Sequence, residues 1–501
     1  MNDREGSRMN PKPSNEIYRY LILGLIALDV ILVLYSCQRR QVVNPVSNEL
    51  PTGQIRASMM QGIIPGNGAT LMDGGTFDKA GNILVHESSF GWRKPSVLNL
   101  TAPDDEKKTG GFHGRAVNLG GVSASNIAVD GDMVYLAACV LDGPGGYGWD
   151  VYFFRSEDKG ASFDPPQLVS KDWAKGHYGN QGEPGVAVDP VKGNVYIVYT
   201  DKSHLRTGLP HNAVFFRRSG DKGKSFSLPA INVGFADNSS DQPSIDASFP
   251  GYVRLVYRQI DPEGHSKLVL RSSIDEGEHF YFSNTISAPP LNYETPIILT
   301  PSWKDHQDTI CLIWRQESPS EPDLQFMASF DGGANYTNPQ GISREGKYEY
   351  AQSPRADFDS SGNVYCTYMV SSGMSSSDYV FVSRGKYVML DYQFDVIGPI
   401  NPIQDQIGDL DIFVSPLNNV YVSWNQADYK HQGAGQDIFV CRNNNKEEFK
   451  IFTFLTQPVP NGINREMPRL AGDEHGNIFM AYRDTSKSPG GDILLTIGSD
   501  V

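Results

Sequence analysis

The chain of 501 residues has little of the residue types that bind metals or build disulfide scaffolds. Its five cysteines are widely separated, with no CxxC or CxxCH spacing, so neither a disulfide framework, a thiolate zinc site nor a haem attachment site is predicted. Its ten histidines form no HExxH pair, which gives no support for a zinc hydrolase of that type. We therefore predict no cofactor, with Ca²⁺ bound by oxygen ligands as the open alternative.

Basic residues are also in the minority. The chain has 43 Lys and Arg against 58 Asp and Glu, a formal net charge of −15. A protein of that sign repels phosphate backbones instead of releasing their counterions. Nucleic acid is therefore not an expected partner.

Long apolar runs are absent apart from one, residues 20–36. Its 17 residues approach the roughly 17–25 that span a bilayer. The basic residues Arg4, Arg8, Lys12 and Arg19 precede it and favour an N-inside orientation. We expect a membrane at this segment, and the bulk of the chain on the extracytoplasmic side, in the periplasm or at the cell surface.

The end of this run resembles a bacterial lipobox, since Leu34-Tyr35-Ser36 precedes Cys37, the candidate for lipidation. A signal anchor, a lipoprotein signal and a soluble protein remain open. The predicted organisation is a cytoplasmic tail or n-region at 1–19, an anchor or signal at 20–37, a tether at 38–66 and a main body at 67–501.

The main body is predicted to be all-β, because 50 Gly, 32 Pro and 11% aromatic residues suit many short strands joined by turns. One unit recurs every 52 to 59 residues: a strand ending near an Asp, a turn and a strand rich in Val, Tyr and Ile. The aligned positions are Asp78, Asp130, Asp189, Asp246, Asp305, Asp359, Pro416 and Asp473. Four strands in each unit predict a β-propeller of about eight blades, with seven as the alternative. We expect the segment around Ser58 to Ile64 to complete the last blade.

Four units carry the same short motif between their third and fourth strands. The motifs begin at Ser156, Ser219, Ser273 and Ser329, and their aspartates are Asp158, Asp221, Asp275 and Asp331. The Asp can accept hydrogen bonds from the turn, the Gly can take positive φ, and the aromatic ring can fill the gap beneath the hairpin. The pattern resembles the bacterial neuraminidase repeat, or Asp box, of sialidase-like propellers. We predict a structural role for these aspartates.

Charged residues gather at two points that share one end of each predicted blade. Acids stand where the inner strand begins, namely Glu183, Asp241, Glu294 and Glu466, and arginines stand where the second strand ends, namely Arg258, Arg315 and Arg483. Three interpretations remain open: ion pairs within each blade, arginines that collect a ligand carboxylate as in sialidases, and acids that bind Ca²⁺ on the axis.

The sialidase resemblance implies further residues. Such enzymes have an Arg-Ile-Pro motif in the first blade, and here Ile63 occupies the arginine position in Gly62-Ile63-Ile64-Pro65. A retaining mechanism would use a Tyr nucleophile beside a Glu, for which Tyr293 and Tyr350 are candidates. No catalytic residue is assigned.

Polar loops between second and third strands contain rings suited to sugars or peptides. They are Tyr147, Trp149, His204, Tyr429 and His431. We expect a bacterial envelope protein, and two functions are predicted for it: a module that binds a glycan or an envelope protein, and a sialidase-like exo-glycosidase acting on terminal sialic or uronic sugars.

Overall fold

The structure of the protein is a computed structural model. It describes short strands at 70–71, 75–77, 83–84 and 96–97, and residues 122–500 apart from 142–147, 171–180, 203–210, 228, 235–237, 287–291, 302–305, 307, 318–323, 345–348, 373–377, 402–405, 428–434, 444–448, 454–462 and 487–490. The chain divides into two compact units, Met1–Leu71 and Met72–Val501. In the first, the described part is the strand Thr70–Leu71.

The second unit is a β-propeller of seven four-stranded antiparallel blades. Inner, second, third and outer strands are Val122–Asp130, Met133–Leu141, Trp149–Ser156 and Gln167–Leu168 in blade 1; Gln181–Val188, Val195–Asp201, Ala213–Ser219 and Ile231–Asn232 in blade 2; Ser239–Asp246, Val253–Ile260, Ser266–Ser273 and Phe282–Thr285 in blade 3; Asn292–Leu299, Ile310–Glu317, Leu324–Ser329 and Gln340–Gly341 in blade 4; Glu349–Phe358, Val364–Ser372, Asp378–Tyr387 and Tyr392–Ile397 in blade 5; Ile407–Val414, Val420–Ala427, Gln436–Asn443 and Phe449–Thr453 in blade 6; and Arg465–Gly472, Asn477–Asp484, Asp492–Ser499 and Ser96–Val97 in blade 7.

The prediction of about eight blades is wrong in number, and the alternative of seven is correct. Each inner strand contacts the inner strand of the next blade, and that of blade 7 contacts that of blade 1, so the ring closes after seven. The unit expected around Asp78 is instead a short hairpin of Gly75–Phe77 with Ile83–Leu84. The outer strand of blade 7 also differs from the prediction, because Ser96–Val97 supplies it. The segment around Ser58 lies outside the described residues.

The core lies between neighbouring blades. Second strands read as continuous apolar runs because both of their faces are covered, and every residue of Val195–Asp201 is buried. Side chains from two adjacent blades share each apolar cluster: Ile127 and Leu136 of blade 1, for example, pack with Phe479 and Ile493 of blade 7. The ring is therefore closed by packing as well as by strand pairing.

Inner strands share a bulge near their first residues. The register of each inner strand against its second strand shifts there in all seven blades. In five blades a residue with positive φ directly precedes a proline, and these residues are Glu183, Gln242, Thr295, Ser353 and Met467. A bulge bends the strand and changes the direction of nearby side chains. The residues just before the bulge therefore face the end of the second strand.

No helix among the described residues is long and apolar enough to cross a membrane. The predicted anchor at 20–37, the tether at 38–66 and the lipidation candidate Cys37 lie outside those residues.

Candidate functional site

The candidate residues lie at the end of the propeller where inner strands begin, which we call the rim face. We call the opposite end, where inner and third strands end, the turn face. Positions on the rim face are set by strand pairing: Asp241 is opposite Arg258, Glu294 opposite Arg315, and Glu466 opposite Arg483.

The three ion pairs expected from the sequence are present. Arg258 binds Asp241 through two parallel hydrogen bonds, Nε to Oδ1 at 2.8 Å and Nη2 to Oδ2 at 2.9 Å. Arg315 donates to Glu294 at 2.6 Å. Bidentate and charge-assisted bonds of this kind hold the side chains in fixed orientations.

The pairs of blades 3 and 4 are joined across the blade boundary. The remaining terminal nitrogen of Arg258, Nη1, donates to Oε1 of Glu294 at 3.4 Å. Burial lowers the pKa of Arg258, but the hydrogen bonds and charge of Asp241 outweigh this effect, so the pKa lies above its usual value. All three guanidinium nitrogens of Arg258 therefore have partners within the protein.

Glu183 occupies a different position from the other three acids, contrary to the sequence alignment. It lies at the positive-φ position of its bulge, so Gly182 and not Glu183 is opposite Thr200. Its carboxylate accepts hydrogen bonds from the Thr200 hydroxyl at 2.7 Å and the Gln242 backbone N–H at 2.8 Å, and it pairs with Lys202 at 3.1 Å.

These contacts, joined by the backbone bond between Asp241 and Gln242, run over blades 2 to 4, and we call them the rim network. Its members are Lys202, Glu183, Gln242, Arg258, Asp241, Glu294 and Arg315. It holds three basic and three acidic side chains, so its formal charges balance. Both donors and acceptors remain partly accessible, with 20% of Arg315 and 29% of Glu294 exposed.

Arg483 belongs to a separate site. It donates to Glu466 at 2.9 Å in blade 7, which blades 5 and 6 separate from blade 4 around the ring. Beside this pair, Arg465 contacts Asp484 at 3.0 Å and Asp437 of blade 6 at 3.6 Å. The structure thus brings Arg258 and Arg315 together and places Arg483 across the ring.

The two tyrosine candidates differ in environment. Tyr293 is only 6% exposed, and its ring packs in the apolar cluster of blades 3 and 4 with Leu268 and Trp314. Tyr350 is 51% exposed at the start of the blade 5 inner strand. Burial makes Tyr293 unsuitable as a nucleophile.

Sequence reasoning missed a second set of charged groups, on the inner strands around the axis. Asp246, Asp357 and Asp411 accept backbone N–H groups of the following blade, from Thr300 at 3.2 Å, Val414 at 2.8 Å and Leu470 at 2.7 Å. An inner strand is the edge of its sheet, so N–H groups on that edge need partners from elsewhere. The signal in the sequence was an Asp with an apolar residue on each side in all three strands.

Deep burial of these axial groups changes their proton affinities. Burial, reinforced by the charges of Asp411 and Asp246, raises the pKa of Asp357 to about 7. Burial also raises the pKa of Asp411, although Arg469 and Arg355 oppose it. The centre of the ring is therefore less negative at neutral pH than its composition implies.

The four Ser-x-Asp turns lie on the turn face, away from the rim network. In each, the Asp accepts the Ser hydroxyl and the backbone N–H four residues on; for Asp275 the distances are 2.7 Å from Ser273 and 3.0 Å from His279. The glycines have φ between +76° and +93°. Asp158, Asp221, Asp275 and Asp331 thus all stabilise their own turns.

The aromatic residue of the motif lies beside its own turn glycine in blades 1 and 4, as the sequence suggested for the whole set, but in blades 2 and 3 it packs on the preceding blade. Phe226 of blade 2 packs edge-on against Phe153 of blade 1, with ring centroids 4.9 Å apart, and Phe280 of blade 3 packs in the same way on Phe216 of blade 2. The motif therefore seals the boundary with the preceding blade.

No group of three or more His, Cys, Asp or Glu side chains is placed to hold a metal ion in the described part of the chain. Of the four acids that were candidates for Ca²⁺, Asp241, Glu294 and Glu466 each contact an arginine, and Glu183 contacts Lys202. Of the predicted loop aromatics, Trp149 begins the third strand of blade 1, and the other four residues lie outside the described ranges.

No protein-family model matches the chain, and no curated protein matches it. Among solved structures, it is similar to a protein of unknown function from Dyadobacter fermentans, with 12% identity over 76% of this chain and 94% of that one and a TM-score of 0.46. The Hadza microbial sialidase Hz136 shares 13% identity over 76% and 66% of the two chains, with a TM-score of 0.45. The intramolecular trans-sialidase from Ruminococcus gnavus shares 13% identity over 76% of this chain and 94% of its own, with a TM-score of 0.42. Likenesses this distant do not bear on activity, and the propeller class rests on the strand order of this chain.

Proposed function

We propose that this protein is a binding module that uses the rim network to hold a polar, uncharged ligand, of which a neutral glycan is the best match. One observation supports this most strongly: Arg258 has all three guanidinium nitrogens in contact with Asp241 and Glu294. A guanidinium that collects a ligand carboxylate needs an unoccupied pair of donors. An acidic sugar at this position would also meet two carboxylates.

The balance of the rim network also fits a hydroxyl-rich ligand. Its donors and acceptors are fixed by mutual bonds, and parts of Lys202, Glu183, Glu294 and Arg315 remain accessible. Sugar hydroxyl groups both donate and accept, so they can join such a network without breaking an ion pair. An envelope protein presenting polar side chains would use the same groups.

A sialidase-like exo-glycosidase is the second candidate. In its favour, Arg315 and Arg483 each remain 20% exposed. It would require Glu294 or Glu466 to release its arginine when an acidic sugar binds. Tyr350 is the accessible tyrosine of the two predicted ones and would be its nucleophile candidate.

The test uses the full chain and a panel of neutral, sialylated and uronic-acid glycans, with binding measured by calorimetry and product release by mass spectrometry. We expect binding of a neutral glycan without any release of sugar. Arg315→Ala should weaken binding at least tenfold, whereas the matched change Arg483→Ala in blade 7 should leave it unchanged. Release of sialic or uronic acid that depends on Arg315 and Tyr350 would overturn the proposal in favour of the enzyme.

We further propose that the N-terminal segment holds the propeller at the outer side of a membrane, either as an uncleaved anchor at residues 20–36 or, after cleavage, through lipidated Cys37. The support is the 17-residue apolar run and the basic residues before it. Alkaline extraction of membranes should leave the chain in the membrane pellet. A protease added outside the cell should cleave the chain only at sites that follow Arg40 in the sequence. Release of all of the protein into the supernatant would contradict the proposal.

A further inference from the structure

The turn face carries exposed apolar side chains among the residues that the structure describes. Among the described residues, eleven large apolar side chains are exposed, and eight belong to turns or strand starts on this face. The eight are Val191, Ile274, Tyr281, Phe282, Val388, Met389, Leu390 and Leu417. Single exposed apolar residues are ordinary, but exposed apolar residues that adjoin one another, as Tyr281 and Phe282 do and as Val388, Met389 and Leu390 do, mark an interaction surface.

The strongest feature of this surface is the blade 5 hairpin. Met389 is 94% exposed and Leu390 is 62% exposed at its tip, between the third and outer strands. Both residues have positive φ, +51° and +61°, a conformation that turns of this type usually give to Asn or Gly. Blades 1 to 4 have the polar Ser-x-Asp turn at this place. Neither burial nor backbone preference accounts for the two apolar residues of the tip.

We infer that the turn face docks on a lipid bilayer, with Met389 and Leu390 inserted at the interface. The exposed residues project from separate turns in blades 2, 3, 5 and 6. A fluid bilayer accepts separated apolar protrusions, whereas a protein partner requires one continuous, shape-matched patch. Tyr281 and Phe282 are of the aromatic class that favours the membrane interface.

Charge does not drive this docking. Three lysines of this face are already paired with acids: Lys192 with Glu276, Lys224 with Glu157 at 3.9 Å and Lys386 with Asp395 at 3.0 Å. We therefore expect insertion into zwitterionic lipid, with little dependence on salt.

The inference rests on the membrane location proposed above. A flexible tether of residues 38–66 has an end-to-end distance of roughly 30 Å. Such a tether keeps the propeller close to the bilayer, so that weak insertion of a few side chains is enough for docking.

The test places an environment-sensitive fluorophore on Met389→Cys in the full chain, reconstituted in phosphatidylcholine vesicles. The matched control is Tyr350→Cys, which is 51% exposed on the rim face. The four described cysteines are buried, and the chain without an introduced cysteine gives the background from Cys37. We expect a blue shift and quenching by spin-labelled lipid at position 389 and neither at position 350.

Equal emission and equal quenching at the two positions would overturn the docking proposal. Flotation of the same samples tests the anchor separately: a chain that floats with an unquenched label keeps the membrane location and loses the docking. A shift at position 389 that occurs in native envelopes but not in lipid vesicles would indicate a protein partner and also overturn the proposal. As a second measurement, changing both Met389 and Leu390 to Asp should abolish quenching of a label at Ile274→Cys without lowering Tm.

Discussion

Blades 1 to 4 and blades 5 to 7 are joined to their neighbours by different chemistry. In the first group, the aromatic residue of a Ser-x-Asp turn packs on the preceding blade, as Phe280 does on Phe216. At the boundary between blades 6 and 7, the buried carboxylate of Asp500 takes this place and accepts hydrogen bonds from Ser415, Asn419 and Tyr421. Blades 1 to 4 thus add local turns to the apolar packing that the blade boundaries share, whereas the boundary between blades 6 and 7 adds a buried carboxylate to it.

The difference predicts unequal sensitivity. A Ser-x-Asp turn is largely complete within one hairpin, and its aspartate remains near solvent. A buried carboxylate must keep every donor around it, because an unpaired group in the interior costs several kcal/mol. Three changes test whether the two halves of the ring differ in this way.

The largest effect is expected for Asp500→Ala. It would leave Asn419, Tyr421 and Arg442 without their shared acceptor, at a cost of about 3–5 kcal/mol in the free energy of unfolding. Urea denaturation measures this cost. Asp500→Asn, which keeps one acceptor, is the control and should cost less. A loss below about 1 kcal/mol for the alanine variant would contradict the contrast between the halves, since it would fall in the range of an exposed pair.

A pH effect of the next size is expected at Asp357. Its pKa rises from 3.8 to about 7 on folding, so the folded state holds a proton that the unfolded state has released. Its contribution to stability therefore falls as pH rises from about 4 to about 7, at about 1.4 kcal/mol per tenfold difference in proton affinity. Asp357→Asn should remove this fall, as measured by unfolding at a series of pH values.

Asp275 supplies the opposite control. Its pKa lies below the usual value because hydrogen bonds from His279 and Ser273 outweigh the effect of burial. Its stabilisation is present above the ordinary pKa of Asp and is lost as pH falls, so Asp275→Asn should remove a contribution of the opposite sign. Identical pH profiles for the two variants would remove the distinction between the halves.

The smallest of the three effects is expected for Gly277→Ala in the blade 3 turn. This change should lower the free energy of unfolding by about 3 kcal/mol. The added Cβ would lie 2.6 Å from the ring of Phe216. The alanine would also have to adopt the φ of +80° that Gly277 has. Gly264→Ala is the matched control, because its φ is +90° and nothing lies within 4 Å of the added atom. The control should cost about 1–2 kcal/mol, the backbone part alone. Equal losses of Tm in both variants would show that packing on the preceding blade contributes nothing.

Of the eight positions predicted from the sequence, six lie within two residues of the end of an inner strand, because alternating apolar strands and Gly-containing turns are local signals. Asp305 follows the end of the blade 4 inner strand by six residues and lies outside the described residues. The remaining position, Asp78, does not belong to a blade. Ring closure depends on the contact between blades 7 and 1, which no local sequence pattern indicates. Pairs such as Asp241 with Arg258 were predicted correctly from their places at the two strand ends. The link from Arg258 to Glu294 and the bulge that displaces Glu183 are tertiary features, so the sequence did not reveal them.

The strand Ser96–Val97 has a consequence for biosynthesis. It pairs with Leu494 and Leu495 of the last blade, which leave the ribosome roughly 400 residues later. At about 5–20 residues per second, this strand waits on the order of 20–80 s for its partner, while six blades form with an open edge. Until then the nascent ring exposes unpaired strands, and a chaperone that covers them would act during that interval.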